Sequence, residues 1–258
     1  MRIFDAHAHY NDAAFPPEEL DSVLKNAFSS GVTHIINAGT DIETSKESIA
    51  LAGEYAEIYA AVGIYPHECI KIADKNATLD ELRSLLKHDK VVSLGEIGLD
   101  YHYDDTPKEM QKEFFDAQLS IAEELGIPVE IHDREAHGDT LDILKAHKNA
   151  RGLMHSYSGS YETAKELIGI GFIISISGPV TFKNARQSVE VAERIPLEFM
   201  AVETDSPYLS PVPKRGTRND SSNLVYTVGK IAELRNVAPE VIAETTRKNA
   251  LTLFGIKE

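Results

Sequence analysis

RIFDAHAHYNDAAFPPEELDSVLKNAFSSGVTHIINAG, residues 2–39, holds two short apolar runs, RIFDAH (2–7) and VTHIINAG (32–39), on either side of a longer segment, 17–30, with helical spacing. Neither run alternates strictly with polar residues, the pattern of strands covered on both faces of a parallel sheet. Parallel neighbours need a crossover connection, and the intervening helical segment supplies one. The same unit repeats along the chain. Further apolar runs lie at IYAAVG (58–63), VVSLGE (91–96), PVEIH (128–132), GLMHS (152–156), FIISIS (172–177) and FMAVET (199–204). Helical segments at 43–56, 78–88, 108–125, 138–148, 160–169, 185–194 and 222–235 separate and follow them, and 239–254 reads as an extra helix. Eight strand-then-helix pairs with right-handed crossovers predict an α/β fold, a (β/α)8 TIM barrel with an extra C-terminal helix. A doubly wound open sheet is the alternative architecture.

The 258 residues, 42% hydrophobic and 26% charged, suit one well-filled core, and no repeat, low-complexity tract or linker divides them. A single domain over 1–258 is expected. The chain has no apolar run long enough for a membrane span and no export-type start, so a cytoplasmic location is expected, with no membrane and no obligate protein partner. Cys69 is the only cysteine, which excludes an internal disulfide and a thiolate zinc cluster. Any metal must therefore use histidine and carboxylate ligands. The formal charge of −15 repels polyanions and argues against broad, charge-driven nucleic-acid binding, while leaving room for a small phosphate site.

Ligand-type side chains fall at one place in every relevant unit. His7 and His9 stand at the end of strand 1, Glu96 ends strand 4, His132 ends strand 5, His155 ends strand 6 and Asp205 follows strand 8. In a barrel those positions share the C-terminal rim, where residues distant in sequence meet. A lone HxH motif is weak, since two polar residues at a strand end need no ligand. Four histidines and two carboxylates, all at strand C-termini, are hard to ascribe to chance or to a hydrogen-bond network. Six ligands suit two divalent ions: His7, His9 and Asp205 around one, His132 and His155 around the other, Glu96 between them. Imidazole favours Zn, Mn, Fe or Co over Mg, and the carboxylates also admit Mg. Paired ions are a centre for hydrolysis. The net positive centre suits an anionic substrate such as a phosphodiester. Histidines 34, 88, 102, 137 and 147 read as structural or solvated, and Cys69 as packing.

The blocks FDAHAH (4–9), GIYPHE (63–68), GEIGLDY (95–101), EIHDRE (130–135), MHSYSG (154–159), ETDSPYL (203–209) and PVPKRGTRN (211–219) together resemble the TatD family of metal-dependent deoxyribonucleases, within the amidohydrolase superfamily. The resemblance covers nearly the whole chain in order. It implies a (β/α)8 fold, the same six ligands, Asp205 as proton acceptor for the attacking water, and DNA trimmed from its 3′ end. His67 is the expected phosphate contact of its block, because Tyr65 stands where the family often has histidine. The His155-Ser156-Tyr157 and Asp220-Ser221 stretches also depart from the usual pattern, on the substrate side. Arg134, Lys214, Arg215 and Arg218 are the cations expected to meet DNA or a small phosphodiester. The alternative is hydrolysis of an amide, ester or lactone on the same centre, in which Glu96 takes the place of a carbamylated lysine bridge. A non-enzymatic binding module is disfavoured by the complete ligand set.

Overall fold

The computed structural model describes residues 1–103 and 105–257. Strands β1 (Ile3–Ala8), β2 (Val32–Ala38), β3 (Ile58–Val62), β4 (Val91–Asp100), β5 (Val129–Arg134), β6 (Gly152–Met154), β7 (Phe172–Ile176) and β8 (Met200–Val202) pair in sequence order, all parallel. Helices α1 (Pro17–Ser29), α2 (Ile42–Glu54), α3 (Lys75–Leu85), α4 (Lys108–Leu125), α5 (His137–Ala146), α6 (Tyr161–Gly169), α7 (Arg186–Arg194) and α8 (Leu224–Arg235) follow the strands, and α9 (Pro239–Phe254) is the extra helix. The result is a TIM barrel. An Ala8–Ser206 bridge closes it, flanked by two backbone bonds: Asp205 N–H donates to His7 C=O (3.0 Å) and His9 N–H to Ser206 C=O (2.7 Å). Closure therefore runs through the candidate site itself.

Local chemistry sets the helix ends. Asp41 and Thr44 form a reciprocal cap on α2, and Asp74 accepts from Ala77 N–H at 3.0 Å, which starts α3 three residues before its expected position at 78. Left-handed Gly126, Asn236 and Gly255 end α4, α8 and α9.

Strand alternation sorts the core into two layers. One face, including Ile3, Ile35, Ala60, Val62, Ile131 and Ile174, packs against the helices. The other, with Phe4, Ala6, Ile36, Ala38, Leu153 and Ala201, forms the barrel interior and meets Ala250, Leu251 and Phe254 of α9. Phe254 stacks on Phe4 at 6.0 Å, so the extra helix plugs the end of the barrel opposite the ligand-bearing rim.

Two strands run past their expected ends, while β6 stops at Met154, one residue before His155, and β8 at Val202. β4 does not stop at Glu96 but runs on to Asp100, and His132 lies inside β5. The continuation depends on glycine. A Cβ on Gly95 would lie 2.6 Å from the Glu130 Cβ, and one on Gly98, at φ +141°, would lie 2.0 Å from the His132 carbonyl oxygen. Only there can β4 approach β5 closely enough to bring Glu96 against His132.

Candidate metal centre

The six side chains singled out from sequence converge at the C-terminal mouth of the barrel. The two oxygens of Glu96 face different histidines. Oε2 lies 3.7 Å from His7 Nε2 and 3.4 Å from His9 Nε2, while Oε1 lies 2.8 Å from His132 Nδ1 and 3.3 Å from His155 Nε2. Asp205 Oδ1 sits 3.6 Å from His9 Nε2, on a residue held at φ +56° by the barrel-closing hydrogen bonds. Donor atoms of His7, His9 and Asp205 lie within 4.8 Å of one another, as do those of His7, Glu96 and His155. His7 thus stands between both groups, its ring 4.0 Å from that of His155.

Residues behind these rings decide which nitrogen faces the centre. Glu130 accepts from His7 Nδ1–H (2.7 Å), the Ala38 carbonyl from His9 Nδ1–H (3.0 Å) and Glu203 from His155 Nδ1–H (3.0 Å). These acceptors place each ring proton on Nδ1 and leave Nε2 as a bare lone pair. On His132 the roles reverse: Nε2 meets Asp100 (3.2 Å), and Nδ1, buried without a hydrogen bond, points at Glu96. His7 Nε2 and His9 Nε2 are only 3.0 Å apart. Two lone pairs at that distance repel unless a cation lies at them. Nitrogen and oxygen donors with lone pairs turned inward on a buried carboxylate fit a divalent ion.

The protonation tendencies of the side chains express the same need. Burial would lower His9, but its contacts with Asp205 and Glu96 outweigh this and push it up to about 10. Burial would raise Glu96, yet His155, His132 and His7 hold its carboxyl well below the usual range. Asp205 is likewise held low, burial being outweighed by His9 and by the charge of His155. Without metal, protons take the place of cations.

The centre opens into a cleft of about 860 Å³ lined by Tyr65, Tyr103, Arg134, Ser177, Arg186 and Tyr208 among others. Of the expected substrate contacts, Arg134 lines this cleft, its guanidinium 5.2 Å over the Tyr103 ring. His67 stands behind the wall, its Nε2 3.5 Å from Asp100 and its ring beside those of Tyr65 and Tyr103. Arg215 and Arg218 are not among the lining residues. Arg215 stacks on Phe182 at 4.3 Å, and Arg218 is tied to the Ala14 carbonyl (2.6 Å) and Glu19 (2.9 Å). Lys214 and Arg218 border a separate groove. Cys69 is packed, its thiol pushed up to about 12 by burial. His102, His137 and His147 each have a carboxylate partner, and His34 stacks on Phe4.

Glu130, Glu203 and Asp100 were not among the residues singled out from the sequence. A signal existed for the first two: each lies two positions before a candidate ligand, inside an apolar strand or at its end, where a fully buried carboxylate needs a partner. Asn219, fully buried, donates to the Thr204 and Tyr208 carbonyls and pins the loop carrying Asp205.

The family model described as TatD related DNase matches residues 4–255. The chain is 40% identical to the uncharacterized metal-dependent hydrolase YabD of Bacillus subtilis, over 98% of this chain and 99% of that one. It is 36% identical to the uncharacterized metal-dependent hydrolase YcfH of Escherichia coli K12, over 99% and 97%. The crystal structure of YJJV, a TatD homolog from Escherichia coli K12, superposes with a TM-score of 0.93 at 31% identity, over 99% of both chains. With its barrel, its rim of inward-turned donors and these relatives spanning nearly its whole length, the chain belongs to the TatD-related DNase family.

Proposed function

We propose that this chain is a metal-dependent hydrolase that cleaves phosphodiester bonds, acting as an exonuclease at the 3′ end of DNA. The observation that carries the reading is Glu96, whose two oxygens each face a different pair of inward-turned imidazoles. In this reading His7, His9 and Asp205 would hold one divalent cation and His132 and His155 the other, with Glu96 available to both. When bound, such a pair of ions, Zn, Mn, Co or Mg, supplies an activated water and offsets charge on the attacking and leaving oxygens. Glu130, Glu203 and Asp100 hold the imidazole rings in register for this set. In this reading Asp205 would accept the proton of the attacking water on its carboxylate.

Arg134 and Arg186 both line the cleft, and in this reading Arg134 meets a phosphate there. A cleft of about 860 Å³ has the size of a small-molecule pocket and suits a chain end better than a continuous duplex. The formal charge of −15 also favours a short footprint with few phosphates engaged.

The test is digestion of single-stranded oligonucleotides labelled at either end, by protein reconstituted with Zn, Mn, Co or Mg, beside a neutral ester and a lactone. The expected result is stepwise loss from the 3′ end, abolished by chelation. Hydrolysis of the neutral substrates with no cleavage of DNA under any metal would overturn the reading.

A further inference from the structure

Two large aromatic side chains at the mouth of the cleft remain half exposed, Tyr208 at 52% and Tyr103 at 53%. Tyr208 is nevertheless held at every polar atom. Its hydroxyl donates to Asp12 Oδ2 (2.6 Å), its N–H to the Asp205 carbonyl (2.8 Å), and its carbonyl accepts from Asn219 Nδ2 (2.8 Å). The residue after it, Leu209, lies at φ +54°, in the left-handed region that a branched side chain rarely adopts. The local backbone is thus committed to presenting this ring. Its centroid lies 6.4 Å from the His9 ring, tilted by 64°, and among the described residues no aromatic ring stacks parallel on it.

Tyr103 stands on the other side. It follows β4, Tyr208 follows β8, and in a closed eight-stranded barrel paired in sequence order those strands are diametrically opposed. Tyr103 is backed by the Arg134 guanidinium. A rigid ring beside the candidate ligands, with a cation-backed ring on the strand diametrically opposite lining the same cleft, suits recognition of an unstacked nucleobase. Stacking needs only a π-face, so it serves any base and tolerates sequence.

We propose that Tyr208 is the stacking platform for the terminal nucleobase of the substrate strand, with Tyr103 as a second platform on the opposite wall. This rests on the phosphodiesterase reading: a phosphate held by ions at the six ligands would carry its base one sugar away, and the Tyr208 ring lies 6.4 Å from that of the ligand His9. The hydroxyl bond to Asp12 sets the orientation of the ring, and the ring face makes the contact.

The experiment compares two single-stranded oligonucleotides that differ only at the 3′ terminus, one with a normal base and one with an abasic tetrahydrofuran residue. Wild type is expected to lose about 5- to 150-fold in kcat/KM on the abasic end. Tyr208→Leu should show the same loss on the normal end and no further loss on the abasic one, while Tyr208→Phe should retain most of the wild-type preference. The chain contains no tryptophan, so Tyr208→Trp introduces a single emitter at the platform. In metal-loaded protein, with the terminal linkage replaced by a non-hydrolysable phosphonate so that nothing turns over, its emission should be quenched by the oligonucleotide with a normal terminal base and much less by the abasic one. Equal wild-type rates on both ends overturn the platform, as does a Leu variant impaired equally on both or a Phe variant as impaired as Leu. If wild type cleaves no DNA, the phosphodiesterase reading falls separately. The fluorescence arm still decides stacking: unquenched emission overturns the platform and base-dependent quenching supports it.

Discussion

Glu130 offers a direct probe of how the fold prepares the centre, because it touches no substrate and lies fully buried behind His7. Its Oε2 accepts His7 Nδ1–H at 2.7 Å and its Oε1 accepts the Ser93 hydroxyl at 2.5 Å. In Glu130→Gln the amide oxygen can still accept from His7, and the Ser93 hydroxyl can turn to accept from the amide nitrogen, so the shape of the core persists. What disappears is charge. A hydrogen bond to a charged group contributes about 1.5–3 kcal/mol, against about 1 kcal/mol for a neutral one, leaving a deficit of about 0.5–2 kcal/mol in holding His7 as a basic Nε2 donor. That corresponds to roughly 2- to 30-fold in affinity for the ion His7 would hold, reaching the usual scale for a residue supporting a metal ligand. The assay is competition against a chromophoric chelator for Zn or Mn, with circular dichroism to confirm the fold. A folded Glu130→Gln protein that binds both ions as tightly as wild type would refute the reasoning, because Glu130 would then not set the donor strength of His7.

Three further outcomes are expected. Asp205→Asn should keep its fold and part of its metal yet lose at least roughly 10²-fold in kcat, since an amide cannot accept the proton, and near-normal turnover at normal metal content would move that role elsewhere. Adding metal to about 100 times its dissociation constant should raise the Tm of chelated wild type by roughly 5–10 °C and that of Glu96→Ala by much less, as followed by scanning calorimetry; equal shifts would contradict the spanning role of Glu96. His147, remote from the cleft, meets Glu123 (2.9 Å) and Asp116 (3.0 Å); burial alone would lower it, but these carboxylates hold it above its ordinary value. Its contribution is therefore fully present below the unfolded value near 6.5 and is lost as pH rises through the higher folded value. His147→Gln should cost about 1 kcal/mol near pH 5.5, discounted because Asp116 is largely exposed, with the gap to wild type closing in alkaline denaturant titrations. A gap independent of pH would show that packing alone is at stake.

The alternation of buried apolar runs with helical spacing is a local property, and it is enough to determine eight strand-then-helix units and the extra helix, with Asp41, Asp74 and Gly126 setting the start of α2, the start of α3 and the end of α4, while the closed order of the strands, against a doubly wound sheet, is settled only by their pairing. Residue type at strand C-termini likewise determines which six side chains can meet, because every strand of a parallel barrel ends at the same rim. Other features arise only on closure. Glu130 lies 123 residues from His7 and Glu203 lies 48 from His155, so no local pattern pairs them, and it is these partners that turn the bare nitrogens inward. Arg215 and Arg218 share a loop with the rim in sequence, yet a phenylalanine ring and Glu19 draw them away from it. Tyr103 and Tyr208 line the same cleft from strands four places apart around the ring, β4 and β8. Periodicity encodes what each segment is, whereas lone-pair direction, charge partners and opposition across the cleft depend on contacts between segments far apart in the chain, which only the closed barrel brings together.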